Sequence, residues 1–248
     1  MMRRSLVTIN RMEELNQQQV EIIRVLRANI EFTGVENRVI VVTSACPNDG
    51  KTTISFYLAD AFAVAGKKTL FVDADLRRSV FVDRYRVKNA EFSLSHLLSG
   101  QKSLDEVIYD TNIENLSVIV TNTFPANPSE QLGNPRFVAM LEKVREEFDY
   151  IIIDTPPISR VIDAAVIAKQ CDGSIFITAS DSISRNMARS MVEQLRVANE
   201  NILGCVITKV DIGKGKYYYS RSSYYGKRGS YYDGYDGYAK QGEKVGQR

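Results

Sequence analysis

Short apolar runs alternate along this chain with longer amphipathic stretches. The apolar runs predict strands at 39–43, 69–73, 116–120, 149–154, 174–178 and 202–210. The helical periodicity predicts helices at 11–32, 52–65, 92–98, 104–108, 135–148, 161–169 and 186–198. Because continuous apolar strands separated by helices are typical of parallel sheets, the pattern predicts a doubly wound, mostly parallel α/β sheet. Residues 79–92 are polar and mixed, and a surface loop is expected there.

The pattern divides the chain into three segments. Residues 1–36 are expected to be an N-terminal helical segment, and residues 37–210 hold the α/β domain. Residues 211–248 change abruptly, with eight Lys or Arg against four Asp or Glu and almost no aliphatic side chains. Such a segment buries too little apolar surface to offset its ordering entropy, so it is expected to be disordered.

Tyrosines concentrate in this C-terminal segment, which we call the tyrosine tail. It holds Tyr217, Tyr218, Tyr219, Tyr224, Tyr225, Tyr231, Tyr232, Tyr235 and Tyr238, nine of the chain's 13. Three interpretations stay open from composition: a low-complexity segment, a nucleic-acid binder whose aromatics stack on bases, and a set of phosphoryl acceptors. Exposed phenols on a mobile segment suit the last, because they can enter a neighbouring subunit's site.

A phosphate-binding loop is predicted directly after the first strand. The sequence from Val39 to Thr53 gives an apolar strand, a short polar loop and the start of a helix, which is the context of a Walker A motif. The residues expected to hold a nucleotide are Pro47, Asn48, Asp49, Gly50, Lys51, Thr52 and Thr53. Lys51 is expected to reach the β- and γ-phosphates, and the Thr52 hydroxyl to bind Mg²⁺. Ala45 replaces the usual first glycine of the general motif.

Carboxylates follow two further strands at the edge where parallel sheets bind ligands. Asp73 and Asp75 end the strand at 69–73, and Asp154 ends the strand at 149–154. Side chains at the carboxyl ends of parallel strands face the ligand crevice. Asp73 and Asp75 are predicted to bind Mg²⁺ or accept a proton, and Asp154 matches the acidic residue of a Walker B motif.

Three charged residues recur on one face of the N-terminal helix. Glu21, Arg24 and Arg27 are spaced three apart, so they share a face. From spacing alone, a solvated face with a weak internal ion pair is favoured over a surface that docks a neighbouring subunit.

Other function classes find little support in the composition. Cys46, Cys171 and Cys205 are widely spaced, which argues against a disulfide framework or a zinc site, and the single His96 argues against a Ser-His-Asp triad. There is no apolar run of about 18 residues and no signal-peptide core. The chain is therefore expected to stay in the cytoplasm.

Together these motifs resemble the bacterial tyrosine kinases of the BY-kinase family, and within it the cytoplasmic CpsD-type kinases of capsule and exopolysaccharide assembly. The resemblance rests on the Ala45–Thr53 loop, the second Walker motif Leu70–Arg77, the strand Ile151–Pro157, the tyrosine tail and the Glu21-x-x-Arg24-x-x-Arg27 helix. It implies a P-loop fold like that of MinD and ParA, with ATP and Mg²⁺ as cofactors.

The resemblance also implies roles for these residues. Lys51 and the loop hold the ATP phosphates, Thr52, Asp154 and one or both of Asp73 and Asp75 hold Mg²⁺, and one of that pair orients or deprotonates the acceptor tyrosine. Subunits join into a ring through Glu21, Arg24 and Arg27, contrary to the preference from spacing, and phosphorylate each other's tails.

The resemblance further implies partners and a location. A separate membrane-spanning activator recruits the kinase to the inner face of the membrane, and polysaccharide-synthesis proteins are possible substrates. Nucleic acid is not an expected partner. Two alternatives are kept: a ParA- or MinD-like positioning ATPase, which would carry a lysine where this chain has Cys46, and an ATP-dependent scaffold whose tail binds polyanions.

Overall fold

The computed structural model describes residues 4–10 and 15–211, and an eight-stranded sheet runs through them. The strands are β1 Ser5–Val7, β2 Val39–Ser44, β3 Thr69–Asp73, β4 Tyr109–Thr111, β5 Leu116–Ile119, β6 Tyr150–Asp154, β7 Gly173–Ala179 and β8 Ile202–Thr208. Their order across the sheet is β1-β4-β5-β3-β6-β2-β7-β8. Neighbouring strands are parallel except β4 and β5, which confirms the predicted mostly parallel sheet.

Helices cover both faces of this sheet. They are α1 Gln17–Phe32, α2 Lys51–Val64, α3 Phe81–Arg84, α4 Leu94–Leu98, α5 Leu104–Val107, α6 Pro128–Leu132, α7 Pro135–Glu147, α8 Asp163–Ala168 and α9 Arg185–Ala198. Alternate β2 residues point to opposite cores, as strand geometry requires. Val39 and Val41 join the core that contains α7 and α9, whereas Ile40 and Val42 join the core that contains α1 and α2. The doubly wound arrangement follows from this alternation.

The N-terminal segment is not purely helical, contrary to the sequence-based expectation for residues 1–36. Ser5–Val7 forms the edge strand β1 and pairs in parallel with β4. The helix begins at Gln17 rather than residue 11, because the Asn16 side chain accepts from the Gln19 amide at 2.9 Å and the Gln19 side chain accepts from the Asn16 amide at 3.0 Å. This reciprocal capping box fixes the start of α1. Residues 11–14 lie outside the described part of the chain.

The segment 79–92, expected to be a surface loop, contains the short helix α3 and an aromatic cluster. Phe81 and Tyr85 are buried against Phe56 of α2 and Phe71 of β3, with ring centroids 4.3 to 5.9 Å apart. Phe81 and Tyr85 have helical spacing, but α3 is only four residues long, so the sequence carries no sustained periodicity that would reveal it. This cluster fixes the segment against the start of α2.

Two further sequence-based predictions concern membrane spans and the tyrosine tail. No helix within residues 4–10 and 15–211 is long and apolar enough to cross a membrane. The predictions for the tyrosine tail fall on residues 212–248, outside the described residues.

Candidate active site

The loop between β2 and α2 has the geometry that anion binding requires. Gly50 adopts a left-handed φ of +88°, and Asn48 adopts φ of +67°, which turns the chain sharply before Lys51 begins α2. The first amides of a helix have no partner within it, and they lie at the positive end of the helix dipole. The strand, loop and helix context of a Walker A motif is therefore present, with Ala45 accommodated as a buried residue after β2.

Lys51 lies in a buried polar cluster around Asp154. Its Nζ is 2.7 Å from Asp154 Oδ1, and the Thr52 hydroxyl donates to Asp154 Oδ2 at 2.7 Å. Ser55 donates to the same carboxylate at 3.0 Å. The structure thus brings together Lys51, Thr52 and Asp154, which belong to two motifs far apart in sequence.

Asp49 supports the loop from behind. Its carboxylate accepts from the Cys46 amide at 2.7 Å and the Ser182 hydroxyl at 3.1 Å. Its carbonyl accepts from the Thr208 hydroxyl at 2.5 Å. Asp49 is 3% exposed; its side chain ties the loop to Ser182 after β7 and its carbonyl ties the loop to β8, and it does not line the cleft where the sequence-based interpretation placed it.

Asp73 lies beside Asp154 at the carboxyl edge of the sheet. The two residues are register partners on the adjacent strands β3 and β6. The pKa of Asp73 is raised to about 8, first by burial and then by the nearby Asp154 carboxylate, against the lowering effect of the Ser79 hydroxyl that donates to it. Two carboxylates that lie side by side in a buried site, as Asp73 and Asp154 do, are disfavoured from carrying a negative charge at the same time. A cation beside this pair would therefore favour the charged form.

Asp75 differs from Asp73 in facing the cleft. Its Oδ1 accepts from the backbone amides of Arg77 and Arg78 at 3.2 and 2.9 Å. These bonds close a tight turn after β3 and leave the carboxylate at the cleft wall. Of the two carboxylates predicted to act on the acceptor, Asp75 is the one that lines the cleft, whereas Asp73 is completely buried.

An ion pair between the exposed Arg77 and the buried Asp163, which the sequence did not reveal, anchors this turn. Arg77 Nε donates to Asp163 Oδ2 at 2.7 Å, and Arg77 Nη2 donates to Asp163 Oδ1 at 3.1 Å. Ser129 donates to Asp163 Oδ1 at 2.6 Å. Asp163 is completely buried at the start of α8. The fork of Arg77 therefore ties the turn that carries Asp75 to the helices α6 and α8.

The phosphate loop, Asp75 and Arg77 line one cleft of about 990 Å³. Its floor and nearest wall include Pro47, Asn48, Gly50, Lys51, Thr52 and Thr53, all expected from the sequence. Its rim adds cations that the sequence did not assign to the site, namely Arg77, Arg78, Arg84, Arg160 and Lys209. The excess of positive charge suits a ligand that carries several phosphates.

Oxygen donors for a divalent cation come together at Asp154 and Thr52. Within the described residues, no group of three or more His, Cys, Asp or Glu side chains is placed to hold a metal. Mg²⁺ commonly uses one or two carboxylates together with substrate phosphates and water. The donor set therefore fits Mg²⁺ that arrives with a nucleotide, and Asp73, Asp75 and Asp154 do not form a three-carboxylate cage.

The predicted oligomer residues lie on α1, where they are exposed or partly exposed. Arg24 and Glu21 approach to 3.7 Å, and Arg27 instead pairs with Glu31 at 3.4 Å. The exposed side chains of Ile22 and Val25 lie between these charges in sequence. An apolar strip among charges is typical of a protein interface, although the surface itself does not identify a partner.

Comparisons with known proteins agree with this geometry. A family model described as an AAA domain matches residues 37–202. Tyrosine-protein kinase CpsD of Streptococcus agalactiae serotype III (strain NEM316) is 40% identical over 197 residues, which cover 79% of this chain and 85% of the relative. Tyrosine-protein kinase CpsD of Streptococcus pneumoniae serotype 4 (strain ATCC BAA-334 / TIGR4) is 40% identical over 211 residues, covering 82% and 93% of the two chains.

The chain belongs to the CpsD family of tyrosine-protein kinases. The resemblance to bacterial tyrosine kinases is thereby confirmed. Among solved structures, the kinase domain of Escherichia coli tyrosine kinase ETK matches this CpsD-family chain with a TM-score of 0.73 and 30% identity, covering 82% of this chain and 88% of that domain.

The alternative ParA- or MinD-like interpretation retains only the shared fold. MinD of Pyrococcus horikoshii OT3, complexed with Mg-ADP, matches the CpsD-family chain with a TM-score of 0.60 at 24% identity, covering 68% of this chain and 69% of MinD. The predicted MinD-like P-loop fold is confirmed by this likeness.

Proposed function

We propose that this chain is an ATP-dependent protein-tyrosine kinase that phosphorylates the tyrosine tail of a neighbouring subunit. The observation that carries the proposal is that the phosphate loop and Asp75 line one cleft, with Lys51 of the loop paired to Asp154, in a chain that is 40% identical to tyrosine-protein kinase CpsD. The expected acceptors are the nine tyrosines from Tyr217 to Tyr238.

Lys51 is the residue whose environment would change most when a nucleotide binds. In the structure its ammonium neutralises Asp154 at 2.7 Å. Phosphate groups seated on the loop amides would offer a stronger negative partner, so the ammonium would turn toward them. Asp154 and Thr52 would then hold Mg²⁺, which supplies charge stabilisation at the transferring phosphoryl group.

Asp73 and Asp75 would handle the acceptor hydroxyl. An ordinary tyrosine phenol has a pKa near 10, so proton loss as the new bond forms is helped by a positioned carboxylate. Asp75 lines the cleft and is in place to orient the phenol. The pKa of Asp73 is raised to about 8, so in its charged form it would accept a proton readily near neutral pH.

The wider setting follows from the family. We expect Glu21, Arg24 and Arg27 to join subunits in a ring that brings one tail to the next active site. A separate membrane-spanning activator would recruit the kinase to the inner face of the membrane. The process that the kinase serves would be capsule or exopolysaccharide synthesis, with proteins of that synthesis as further substrates.

The test uses the full chain with ATP and Mg²⁺ and maps phosphotyrosine by mass spectrometry. We expect modification within residues 217–238 of the wild-type protein and none in Lys51→Met, with circular dichroism showing that the variant is folded. Lys143→Met, on the exposed side of α7, is the matched control and should retain full modification. Phosphotyrosine in folded Lys51→Met at the wild-type level would overturn the assignment.

A further inference from the structure

Arg84 occupies an unusual place for a cation. Its Nη1 donates to the Thr53 hydroxyl at 2.6 Å, two residues after Lys51 begins α2. A guanidinium at a helix N-terminus meets the positive end of the helix dipole. Cations are stabilised at helix C-termini, so this position is electrostatically unfavourable until an anion lies between the positive groups.

No carboxylate in the described part of the chain forms an ion pair with Arg84, although Asp75 and Asp83 line the same cleft. Arg77, by contrast, is bound to Asp163. Arg84 is thus a cleft cation that keeps most of its donors available.

The backbone at Arg84 is held in place by the buried side chains of neighbouring residues, not by the Arg84 side chain. Phe81 and Tyr85, on either side of Arg84 in sequence, are buried in the aromatic cluster with Phe56, at centroid distances of 5.5 and 4.3 Å. Phe56 belongs to α2, so the cluster fixes α3 to the helix that begins at Lys51. The backbone at Arg84 is therefore positioned relative to the phosphate loop.

We propose that Arg84 is a phosphate-binding residue of this site, which turns from Thr53 to the phosphate chain of the bound nucleotide. The inference rests on the proposed nucleotide-binding function and extends it to a residue outside the Walker motifs. Thr52 faces Asp154, whereas Thr53 faces Arg84. Arg84 therefore approaches the phosphates from the side remote from Asp154, and ADP and ATP should both contact it.

The experiment measures binding of Mg-ADP, Mg-ATP and adenosine by isothermal titration calorimetry. Arg84→Gln should weaken both nucleotides about tenfold, the low end for a charge-assisted hydrogen bond, and should leave adenosine unaffected. Arg84→Lys should recover part of the loss because the charge remains. Arg86→Gln is the matched control, since Arg86 is an exposed arginine two residues away that does not line the cleft, and it should bind within about twofold of wild type.

Raising the salt concentration should reduce the difference between wild type and Arg84→Gln, because an exposed guanidinium is screened. Wild-type affinity for both nucleotides in Arg84→Gln would overturn the inference and leave the proposed function standing, even if tail phosphorylation falls, because the residue would then serve the acceptor. An absence of nucleotide binding by the wild-type chain would overturn both.

Discussion

Two ion pairs of this chain are formed by residues of its sequence motifs, and the two pairs differ in burial. At the carboxyl edge of the sheet, Lys51 and Asp154 are 2.7 Å apart with side chains 8% and 1% exposed. On α1, Arg24 and Glu21 are 3.7 Å apart with side chains 61% and 65% exposed. A buried pair is held in one geometry by its neighbours, whereas an exposed pair is solvated and contributes little to stability. The first pair is therefore tied to the fold, and the second is available to a partner.

The largest effect is expected from breaking the buried pair. Asp154→Asn leaves the Lys51 ammonium without its carboxylate and should reduce the free energy of unfolding by about 3–5 kcal/mol, measured by urea denaturation. Lys51→Met/Asp154→Asn, which leaves no unpaired buried charge, should recover part of this loss. An Asp154→Asn protein as stable as the wild type would show that the buried pair does not contribute to the stability of the fold.

A smaller loss is expected from the Arg77 anchor. Asp163→Asn weakens two hydrogen bonds from Arg77 and should reduce the unfolding free energy by about 1–3 kcal/mol. Since the anchored turn carries Asp75, phosphorylation should fall even at temperatures where the variant is fully folded. The measurement pairs urea denaturation with initial rates of phosphotyrosine formation. Unchanged rates in the folded variant would mean that the anchor serves stability alone.

The pH dependence of stability probes Asp73. Its folded-state pKa of about 8 exceeds that of the unfolded chain, so folding binds a proton there. The stabilisation of the folded state by this proton is complete below about pH 4 and is lost as pH rises through about 8. Without Mg²⁺, the melting temperature of the wild type should decline over this range relative to Asp73→Asn. Parallel pH profiles for the two proteins would contradict the raised pKa.

The smallest change in stability is expected on α1. Replacing Glu21, Arg24 and Arg27 with Ala should alter the unfolding free energy by less than about 1 kcal/mol. Light scattering should nevertheless report a smaller assembly. Lys102→Ala/Glu106→Ala removes a partly exposed pair, 3.0 Å apart, and should leave the mass unchanged. An unchanged mass in the triple variant would return these residues to a solvated face.

Sequence patterns predicted those elements whose signal lies within one continuous stretch of the chain. The strands β2, β3 and β6 are continuous apolar runs, so their carboxyl ends and the residues Lys51, Asp73 and Asp154 could be placed together by topology alone. β1 and β4 were missed because three-residue strands carry no periodicity of their own and exist through pairing with each other and with β5. Residue spacing likewise cannot show which exposed charges face a partner.

The missed site residues depend on tertiary contacts. Asp163 begins a helix 86 positions from Arg77, and nothing in either local pattern links them. Arg84 looked like part of a solvated basic loop because the helix that carries it is only four residues long, too short for a periodic signal. Asp49 was assigned to the nucleotide from its motif position, but its contacts with Ser182 and Thr208 exist only in the folded chain.

The central claim is tested most directly by mixing two full-length variants with ATP and Mg²⁺. One variant retains Lys51 and has the nine tail tyrosines replaced by Phe; the other carries Lys51→Met and an intact tail. We predict phosphotyrosine within residues 217–238 of the Lys51→Met protein only when both are present, because the active site of one subunit acts on the tail of another. Absence of phosphotyrosine in the mixture, with both proteins folded and the wild type active, would contradict phosphorylation between subunits.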